Sequence, residues 1–385
     1  MTFILLVSIV TSLSILLIFY YHLGYPFILK VLSGRKKSKI NARRQAFQPV
    51  QQSLPSVTIL VTAHNQERSI VDKIRNLSIL DYPQNKLKII IVNDGSTDRT
   101  YEFALATLNE EECQHFSIKV VNYECNVGRV DVLNGIINGI ATDIVALSDV
   151  TAIISIDALL VAVKHFNDPE IGVVNGSYQV LSSASGGKKS LRERHSKVRA
   201  DEANVGSMIG SCGAFYLIRT HLYQSLPADT INDDFVIPMQ AVQKGYRSVY
   251  DSETHALGFG SEDSNQKRIR DHRVSEGKLQ QIFRLRSLLL PRYKGTAFTF
   301  ASSGVLNVLM PYLLIIAFLG SLLLVQMHPV FMFLAVGQAL LYVTLIVSET
   351  TGMGRSCESI TFLNYLLKEH LSCLLGAMRY LKNKS

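Results

Sequence analysis

Three short clusters of polar residues, each directly after an apolar run, are the first candidates for chemistry in this sequence. They are residues 62–67, 93–98 and 148–151, which follow the runs 57–61, 87–92 and 144–147. In the third cluster, Asp149 has little structural reason to stand at the end of a buried strand. A carboxylate there suits Mg²⁺ or Mn²⁺, which take few carboxylates and bridge phosphate oxygens. We therefore predict a divalent-cation site at Asp149.

The sequence carries no glycine-rich loop of the kind that holds phosphates. No G-x-G-x-x-G follows the first apolar run, and no Walker motif occurs in the chain. If a nucleotide binds, its phosphates must be neutralised by other groups, and the predicted cation is the natural candidate.

Apolar runs alternate with amphipathic stretches through the middle of the chain. The runs 57–61, 87–92, 118–121 and 144–147 are predicted strands, and 67–80, 97–108 and 129–140 are predicted helices. This alternation predicts an α/β fold with a mostly parallel sheet and helices on both faces. Ligands of such sheets bind beyond the carboxyl ends of the strands, so the three polar clusters converge on one cleft if their strands are neighbours.

The ends of the chain are much more apolar than its middle. The chain has 385 residues, of which 48% are hydrophobic and 18% charged. Residues 3–21 contain no charge and fit one membrane span, and 295–348 fit two spans broken at 327–329. A cleaved signal peptide is the alternative for 3–21, but no basic residue precedes the run and no small-residue cleavage site follows it.

The positive charge of the chain is concentrated beside these apolar segments. The net charge is +8, and residues 30–44 hold seven Lys and Arg side chains with no acid among them. Positive flanks stay on the cytoplasmic side, so residues 25–294 are predicted to face the cytosol of a plasma or inner membrane. Since the basic run adjoins a span, it indicates contact with anionic lipids and not with nucleic acid.

These features divide the chain into five predicted parts. They are an N-terminal transmembrane helix (1–24), a basic cytosolic linker (25–52), a globular α/β domain (53–294), two transmembrane helices (295–350) and an interfacial amphipathic helix with a basic tail (351–385). The polar residues Lys368, Glu369 and His370 lie in the middle of the last apolar stretch, which favours a helix on the membrane surface. A further span, with the tail outside, is the alternative.

Cysteine usage favours a reducing compartment. The chain has five cysteines, an odd number, and no C-x-x-C pair. This argues against both a disulfide framework and a zinc site.

Seven motifs, in this order and spacing, resemble the signatures of glycosyltransferase family 2. They are Thr62-Ala63-His64-Asn65-Gln66-Glu67, Val92-Asn93-Asp94-Gly95-Ser96-Thr97-Asp98, Asn126-Val127-Gly128-Arg129, Ser148-Asp149-Val150-Thr151, Gly210-Ser211-Cys212-Gly213-Ala214-Phe215-Tyr216, Asp233-Asp234-Phe235 and Arg270-Asp271-His272-Arg273. The resemblance covers about residues 55–290 and extends weakly to the C-terminus, as in membrane-bound members similar to cellulose and hyaluronan synthases.

The resemblance implies a Rossmann-like GT-A domain with transmembrane helices on both sides. It implies inverting transfer from a nucleotide-diphospho-sugar, usually a UDP-sugar, to a saccharide or lipid-linked acceptor, in polysaccharide or glycolipid synthesis. A non-catalytic relative that binds nucleotide-sugar within a membrane synthase complex is the alternative. A transporter is disfavoured because the three predicted spans contain no Asp, Glu, Lys or Arg to mark a pathway.

On the donor side, the resemblance assigns roles to residues of the first three motifs. Asn93 and Asp94 bind the base or ribose, Ala63 and Glu67 line the same pocket, and Arg129 pairs with phosphate. Three of these residues also have a structural alternative. Asp94 can shape its own turn, Glu67 can begin the next helix, and Arg129 can cap the helix that follows it.

The resemblance also gives Asp149 the metal on the donor diphosphate. Relatives often carry a second acid or Asn two residues later, where this chain has Thr151. A hydroxyl is a neutral and weaker ligand than a carboxylate, so we expect lower metal affinity or an intervening water.

On the acceptor side, the resemblance makes Asp234 the general base, with Asp233 capping a helix or orienting its neighbour. Gly213 forms the floor of the acceptor site, and Arg270 and Arg273 contact acceptor or diphosphate, or form a solvated basic helix face. Processive relatives carry Gln-x-x-Arg-Trp at this last motif, and the present chain has no Trp at all. The stacking platform for the acceptor sugar is therefore absent or replaced, which puts processivity in doubt.

Overall fold

The computed structural model describes residues 2–46, 53–181, 186–259, 264–351 and 358–384. Eight strands form one sheet in the order β3-β2-β1-β4-β7-β6-β8-β5. The strands are β1 (Val57–Ala63), β2 (Leu87–Asp94), β3 (Ile118–Tyr123), β4 (Ile144–Asp149), β5 (Ala152–Ile154), β6 (Ile171–Leu181), β7 (Phe215–Arg219) and β8 (Arg247–Phe259).

The sheet is parallel in one half and mixed in the other. Strands β3, β2, β1 and β4 are parallel neighbours, as the sequence predicts. Strand β7 runs antiparallel to both β4 and β6, and β5 runs antiparallel to β8. The prediction of a mostly parallel sheet is wrong for this second half, in which β6 and β8 are parallel but β7 and β5 run antiparallel to their neighbours. The apolar runs that supported the prediction extend only to β4.

Thirteen α-helices occur in the described residues. They are α1 (Thr2–Phe19), α2 (Tyr25–Ala46), α3 (Ile70–Leu77), α4 (Thr100–Leu108), α5 (Arg129–Ile137), α6 (Ala158–Val163), α7 (Gly186–Val205), α8 (Asp233–Gln243), α9 (Ser264–Arg284), α10 (Gly295–Thr299), α11 (Leu306–Leu323), α12 (Pro329–Thr351) and α13 (Glu358–Lys384).

Several predicted helices are longer than the observed ones, because side chains hold the preceding loops in place. Helix α3 begins three residues late, since the backbone N–H of Gln66 binds Thr100 Oγ1 and that of Glu67 binds Asp98 Oδ2. Helix α4 begins at Thr100, whose N–H is accepted by Asp98 Oδ1 at 3.0 Å. The contacts of Gln66 and Glu67 join the loop before α3 to residues at the start of α4, so the pattern of α3 alone could not reveal them.

Alternating side chains of the strands build two cores, one on each face of the sheet. In β1, Ile59 packs with Ile74 of α3 on one face, and Leu60 packs with Leu133 of α5 on the other. All four are at most 1% exposed. The period-two alternation of the strand places helices on both faces and leaves the strand ends free for polar residues.

Three helices are long and apolar enough to cross a membrane, in the ranges Thr2–Lys36, Gly295–Leu323 and Pro329–Ser348. This agrees with the predicted spans. Helix α1 passes through a π-helical turn at Tyr20–Gly24 into α2, so residues 25–46, expected to form part of a linker, are helical. Helix α13 is not one of these three apolar helices, and it packs along α9.

Helix α1 packs closely on α11 through small residues. A Cβ placed on Gly320 would lie 2.0 Å from Thr11 Oγ1, which is too short for any real contact. Thr11 itself is 1% exposed. Close approach of this kind through small residues is how helices associate in membranes, where lipid provides no hydrophobic drive.

We expect Gly320→Ala to force α1 and α11 apart and to lower the thermal unfolding temperature of the protein in lipid nanodiscs. Gly337→Ala in α12 is the matched control, since a Cβ there meets nothing within 4 Å. In a double variant with Gly320→Ala, Thr11→Ala removes the hydroxyl that the new Cβ would meet. It should therefore restore part of the lost unfolding temperature. Equal stability of the Gly320 and Gly337 variants would contradict this packing.

Candidate active site

The three polar clusters meet at one edge of the sheet because their strands are neighbours. Strand β1 lies between β2 and β4, with Ala63 opposite Asn93 and Thr62 opposite Asp149. The carboxyl ends of these parallel strands therefore open into the same cleft. The sequence predicted that the three polar clusters converge if their strands are adjacent. The strands are adjacent, and the prediction is confirmed.

Asp94 links two loops of the cleft. Its Oδ1 accepts the N–H of Val127 at 2.8 Å and its Oδ2 accepts that of Gly128 at 3.1 Å. Asp94 is 5% exposed. It therefore does not shape its own turn, as the structural alternative supposed. It holds the loop whose next residue, Arg129, begins α5.

The other donor-side residues take different positions. Ala63 is buried at the end of β1. Asn93 is also buried and donates its Nδ2 to Asn122 Oδ1 at 2.7 Å. Glu67 Oε2 accepts the N–H of Arg99, just before α4, at 3.3 Å. The Glu67 carboxylate thus lies near the N-terminus of α4 and not of α3, where the sequence alternative placed it.

The guanidinium of Arg129 lies at the centre of the site. Its Nε donates to Asp233 Oδ2 at 2.9 Å, and its Nη1 to Asp149 Oδ1 at 3.3 Å. The same Nη1 also donates to Thr62 Oγ1 at 3.0 Å. Arg129 therefore joins the acid at the end of β4 to the acid pair that begins α8. Sequence reasoning placed Arg129 in the site but did not foresee that it bridges these two acids.

The residues at the end of β4 fit a cation that arrives with its phosphate ligands. The Asp149 side chain is 42% exposed, and Thr151 is exposed two residues later. Within the described residues, no group of three or more His, Cys, Asp or Glu side chains could hold a metal. A single carboxylate is enough for Mg²⁺ or Mn²⁺ when substrate phosphates supply further oxygens. Asp149 would be the protein ligand, with Thr151 as a neutral neighbour.

A buried lysine lies beneath the loop that carries Asp149. Lys73 of α3 is 0% exposed and donates to Ser148 Oγ at 2.7 Å and to the carbonyl of Ala152. Burial lowers the pKa of Lys73 to about 7, and the charge of Asp149 partly opposes this shift. Sequence reasoning missed this residue. The sequence signal for the burial of Lys73 was its spacing: it lies three residues after Ile70 and four before Leu77, on the apolar face of α3.

The acid pair begins α8, where Asn232 is the N-cap residue and not Asp233. Asp233 is 5% exposed, and its carboxylate pairs with Arg129 instead of capping the helix. The Asp234 carboxylate lies over Gly213, where a Cβ would come within 2.8 Å of Asp234 Oδ2 and φ is +75°. Both observations require glycine at position 213, as expected for a floor that the acid approaches closely.

Withdrawal from water raises the pKa of Asp234 to about 7, and the negative charges of Asp233 and Asp149 add to this shift. The positive charge of Arg129 opposes it. A carboxyl group with a pKa near the working pH can hold a proton in one step and release it in another.

The last predicted motif lies on α9. Arg273 donates its Nη2 to the carbonyl of Ile231 at 3.3 Å, two residues before the acid pair. Arg270 lies in the same helix, but its side chain falls outside the described residues. The structure thus brings Arg273 beside the segment that leads to Asp233 and leaves the role of Arg270 as a prediction.

A family model described as Glycosyltransferase like family 2 matches residues 55–274, which is more than half of the chain. The chain belongs to glycosyltransferase family 2. This confirms the resemblance found in the sequence, and the sheet with its flanking helices is the GT-A fold.

Curated relatives of this glycosyltransferase match only part of their own length. The poly-beta-1,6-N-acetyl-D-glucosamine synthase of Staphylococcus aureus (strain COL) is 27% identical over 206 residues, covering 51% of this chain and 48% of the relative. The beta-monoglucosyldiacylglycerol synthase of Nostoc sp. is 34% identical over 157 residues, covering 39% of this chain and 33% of the relative. The chain spans about half or less of these relatives.

A solved structure matches the whole chain in fold. It is the mannosyltransferase PcManGT from Pyrobaculum calidifontis, in complex with GDP-Man and Mn²⁺. The TM-score is 0.72 at 18% identity, covering 98% of this chain and 100% of the other. At this identity the similarity establishes the fold alone.

We expect Arg129→Met to destabilise the protein by about 3 kcal/mol at pH 8, because it leaves buried acids without their counter-charge. Arg129 lowers the pKa of Asp234, so without Arg129 this pKa rises further above its value in the unfolded chain. Stability is then lost as the pH rises and regained when Asp234 is protonated, so the deficit should shrink toward pH 5. Thermal unfolding across this pH range measures it.

Arg75→Met is the matched control for Arg129→Met. Arg75 forms an exposed ion pair with Glu110, in which the arginine side chain is 51% exposed. Its loss should change the stability little, because water and salt screen an exposed ion pair. An equal effect of the two variants, or a deficit of Arg129→Met that does not depend on pH, would contradict the central role of Arg129.

Proposed function

We propose that this glycosyltransferase moves a sugar from a nucleotide-diphospho-sugar, with a UDP-sugar as the expected donor, to a saccharide or lipid-linked acceptor with inversion. The observation that carries the proposal is the bridge of Arg129 between Asp149 and Asp233, which brings a donor-side acid and an acceptor-side acid pair into one cleft. The synthase relatives, which make a polysaccharide and a glycolipid by name, support these two product classes.

In the proposed reaction, the acceptor hydroxyl oxygen attacks the anomeric carbon of the donor sugar from the face opposite the diphosphate. A carbon–oxygen bond forms to the acceptor as the bond from the anomeric carbon to the diphosphate oxygen breaks. Asp234 takes the hydroxyl proton, and the negative charge that develops on the diphosphate is stabilised by the positive charge of Arg129. A divalent cation held by Asp149 would supply additional positive charge at this oxygen.

Asp234 is better placed than Asp233 to act as the base. The Asp233 carboxylate is buried, and its Oδ2 already accepts a hydrogen bond from Arg129. The Asp234 carboxylate lies over Gly213 and retains partial exposure. Its pKa of about 7 also suits proton transfer at neutral pH.

We expect Asp234→Asn to lower the rate of transfer by roughly 10²–10⁴-fold with donor binding nearly unchanged, because the amide cannot accept the proton. In the unmodified protein, kcat/KM should rise with pH through an ionisation near the Asp234 pKa of about 7 and level off above it. Asp233→Asn should lower the rate less. The reverse ranking would move the base by one position, and no effect of either would favour the non-catalytic alternative.

We expect Asp149→Asn to remove metal-dependent turnover, slowing transfer by orders of magnitude while the fold is retained. A Mn²⁺ titration of transferase activity measures this. Asp131→Asn is the matched control, because Asp131 is an exposed acid on α5. If Asp149→Asn responds to Mn²⁺ as the unmodified protein does, the metal assignment is wrong.

The second candidate function is a non-catalytic nucleotide-sugar-binding subunit of a membrane synthase complex. Thr151 in place of a second acidic ligand and the absence of Trp favour it. A screen of nucleotide-sugars for UDP release, with Mn²⁺ and mass spectrometry of the products, separates the two. Binding without release of nucleotide for every donor would favour the subunit.

We propose that the protein is integral to the plasma or inner membrane, with its catalytic domain cytoplasmic and α13 on the membrane surface. The three apolar helices and the basic run 30–44 support this orientation. Cys125 is exposed, so an impermeant maleimide should fail to label it in intact cells. His328→Cys, at the exposed turn before α12, should be labelled from outside. The opposite pattern would reverse the topology.

A further inference from the structure

Helix α9 is fastened to the segment that leads into the acid pair. The side-chain amide of Gln280 donates to the carbonyl of Asp229 at 2.7 Å and accepts the N–H of Ile231 at 3.0 Å. Asn232 Nδ2 donates to the carbonyl of Val274 at 3.0 Å. These bonds come from one face of α9 and reach consecutive parts of a single loop, so the loop follows the helix.

The closest contact between α9 and this loop joins the backbone of Gly277 to the side chain of Asn232. A Cβ on Gly277 would lie 2.3 Å from Asn232 Nδ2, so α9 has no room for any larger residue there. Asn232 is the N-cap of α8, and its carbonyl accepts the N–H of Phe235 at 3.3 Å and of Val236 at 3.2 Å. A displacement of Asn232 therefore moves the first turn of α8, which carries Asp233.

The same helix is in contact with α13 on another face. A Cβ on Gly376 of α13 would lie 2.5 Å from the carbonyl carbon of Ser275, so the two backbones touch. Lys278 of α9 adds an ion pair with Glu369 of α13 at 3.2 Å. Since packed protein interiors compress little, a shift of α13 passes to α9 without being absorbed by flexible side chains.

The outer side of α13 differs from the side that contacts α9. His370, Cys373 and Ala377 are buried, whereas an apolar stripe at helical spacing is exposed. This stripe consists of Leu371, Leu375, Met378 and Leu381. Arg379 and Lys382 lie beside it. Helix α13 thus faces the catalytic domain on one side and presents to its surroundings the pattern of a membrane-surface helix on the other.

We propose that α9 transmits the position of α13 to the acid pair, with Gly277 as the positioning residue at the contact with Asn232. The placement of Asp233 and Asp234 is then set from a helix outside the sheet that binds the donor. The kinetic part of this inference rests on the proposed transfer reaction, whereas the mechanical part does not. A misplacement of about 1 Å at a catalytic group can cost about 10²-fold in rate, so small shifts along this path matter.

Gly277→Ala tests the contact with Asn232. We expect kcat to fall roughly 10²-fold with donor KM nearly unchanged, because the donor side of the cleft is built on other elements. Asn232→Ser in the same protein removes the obstructing amide and keeps a residue suited to an N-cap, so it should restore part of kcat. Gly337→Ala, with open space at its Cβ, should leave kcat unchanged. Failure of Asn232→Ser to rescue would overturn the positioning role of Gly277.

Gly376→Ala tests whether the path begins at α13. We expect kcat to fall roughly tenfold. Hydrogen exchange at the amides of Phe235 and Val236 should quicken, although the atoms nearest to a Cβ at position 376 belong to Ser275 and Glu276 of α9. Lys278→Gln weakens the same interface without a clash and should change both quantities in the same direction. The proteins are compared as full chains in nanodiscs of one lipid composition.

The exchange measurement separates this inference from the proposed function. Faster exchange in the first turn of α8 for both α13-side variants supports the path even if every donor fails to react. Unchanged exchange and unchanged kcat in Gly376→Ala and Lys278→Gln, with both proteins folded, would overturn the proposal. A loss of kcat in Gly277→Ala with no change in Gly376→Ala or Lys278→Gln would also overturn it, because the position of α13 would then have no effect on the acid pair.

Discussion

The structure of the cleft depends on one arginine held between two acids. Arg129 contacts Asp149 at the end of β4 and Asp233 at the start of α8, elements that are neighbours only in the folded chain. Without this positive charge, a partly buried cleft would hold three carboxylates in mutual repulsion. Arg129 therefore allows Asp149 and the acid pair to stand close together in one cleft.

Arg129 is itself held by the residues around it. Asp94 fixes the backbone N–H groups of Val127 and Gly128, and the positive φ of Gly128 turns the chain into α5 so that Arg129 is its first residue. Below the same edge, Lys73 binds the loop that carries Asp149. Asp94 and Lys73 are both buried, and hydrogen bonds offset the cost of burying them: Asp94 accepts two backbone N–H groups, and Lys73 donates to the Ser148 hydroxyl and the Ala152 carbonyl.

The acid pair is held differently from the polar clusters at the strand ends. The clusters follow adjacent parallel strands, so the sheet fixes their positions. The acid pair instead begins a helix whose preceding loop is tied to α9, and α9 packs on α13. Sheet and helices thus each position one part of the cleft.

The sequence by itself determined the strands β1 to β4, their polar ends and the three apolar spans, because these depend on local periodicity and on runs of apolar residues. It also placed Asp149, Asp233 and Asp234 among the chemical residues through motifs of fixed spacing. Helix starts such as Ile70 were missed because loops 30 residues apart in sequence hold them. The mixed half of the sheet, the bridge of Arg129 and the burial of Lys73 were decided only by tertiary structure. Each joins residues that are distant in sequence. Local patterns of apolar and polar residues do not show which distant charges meet when the chain folds.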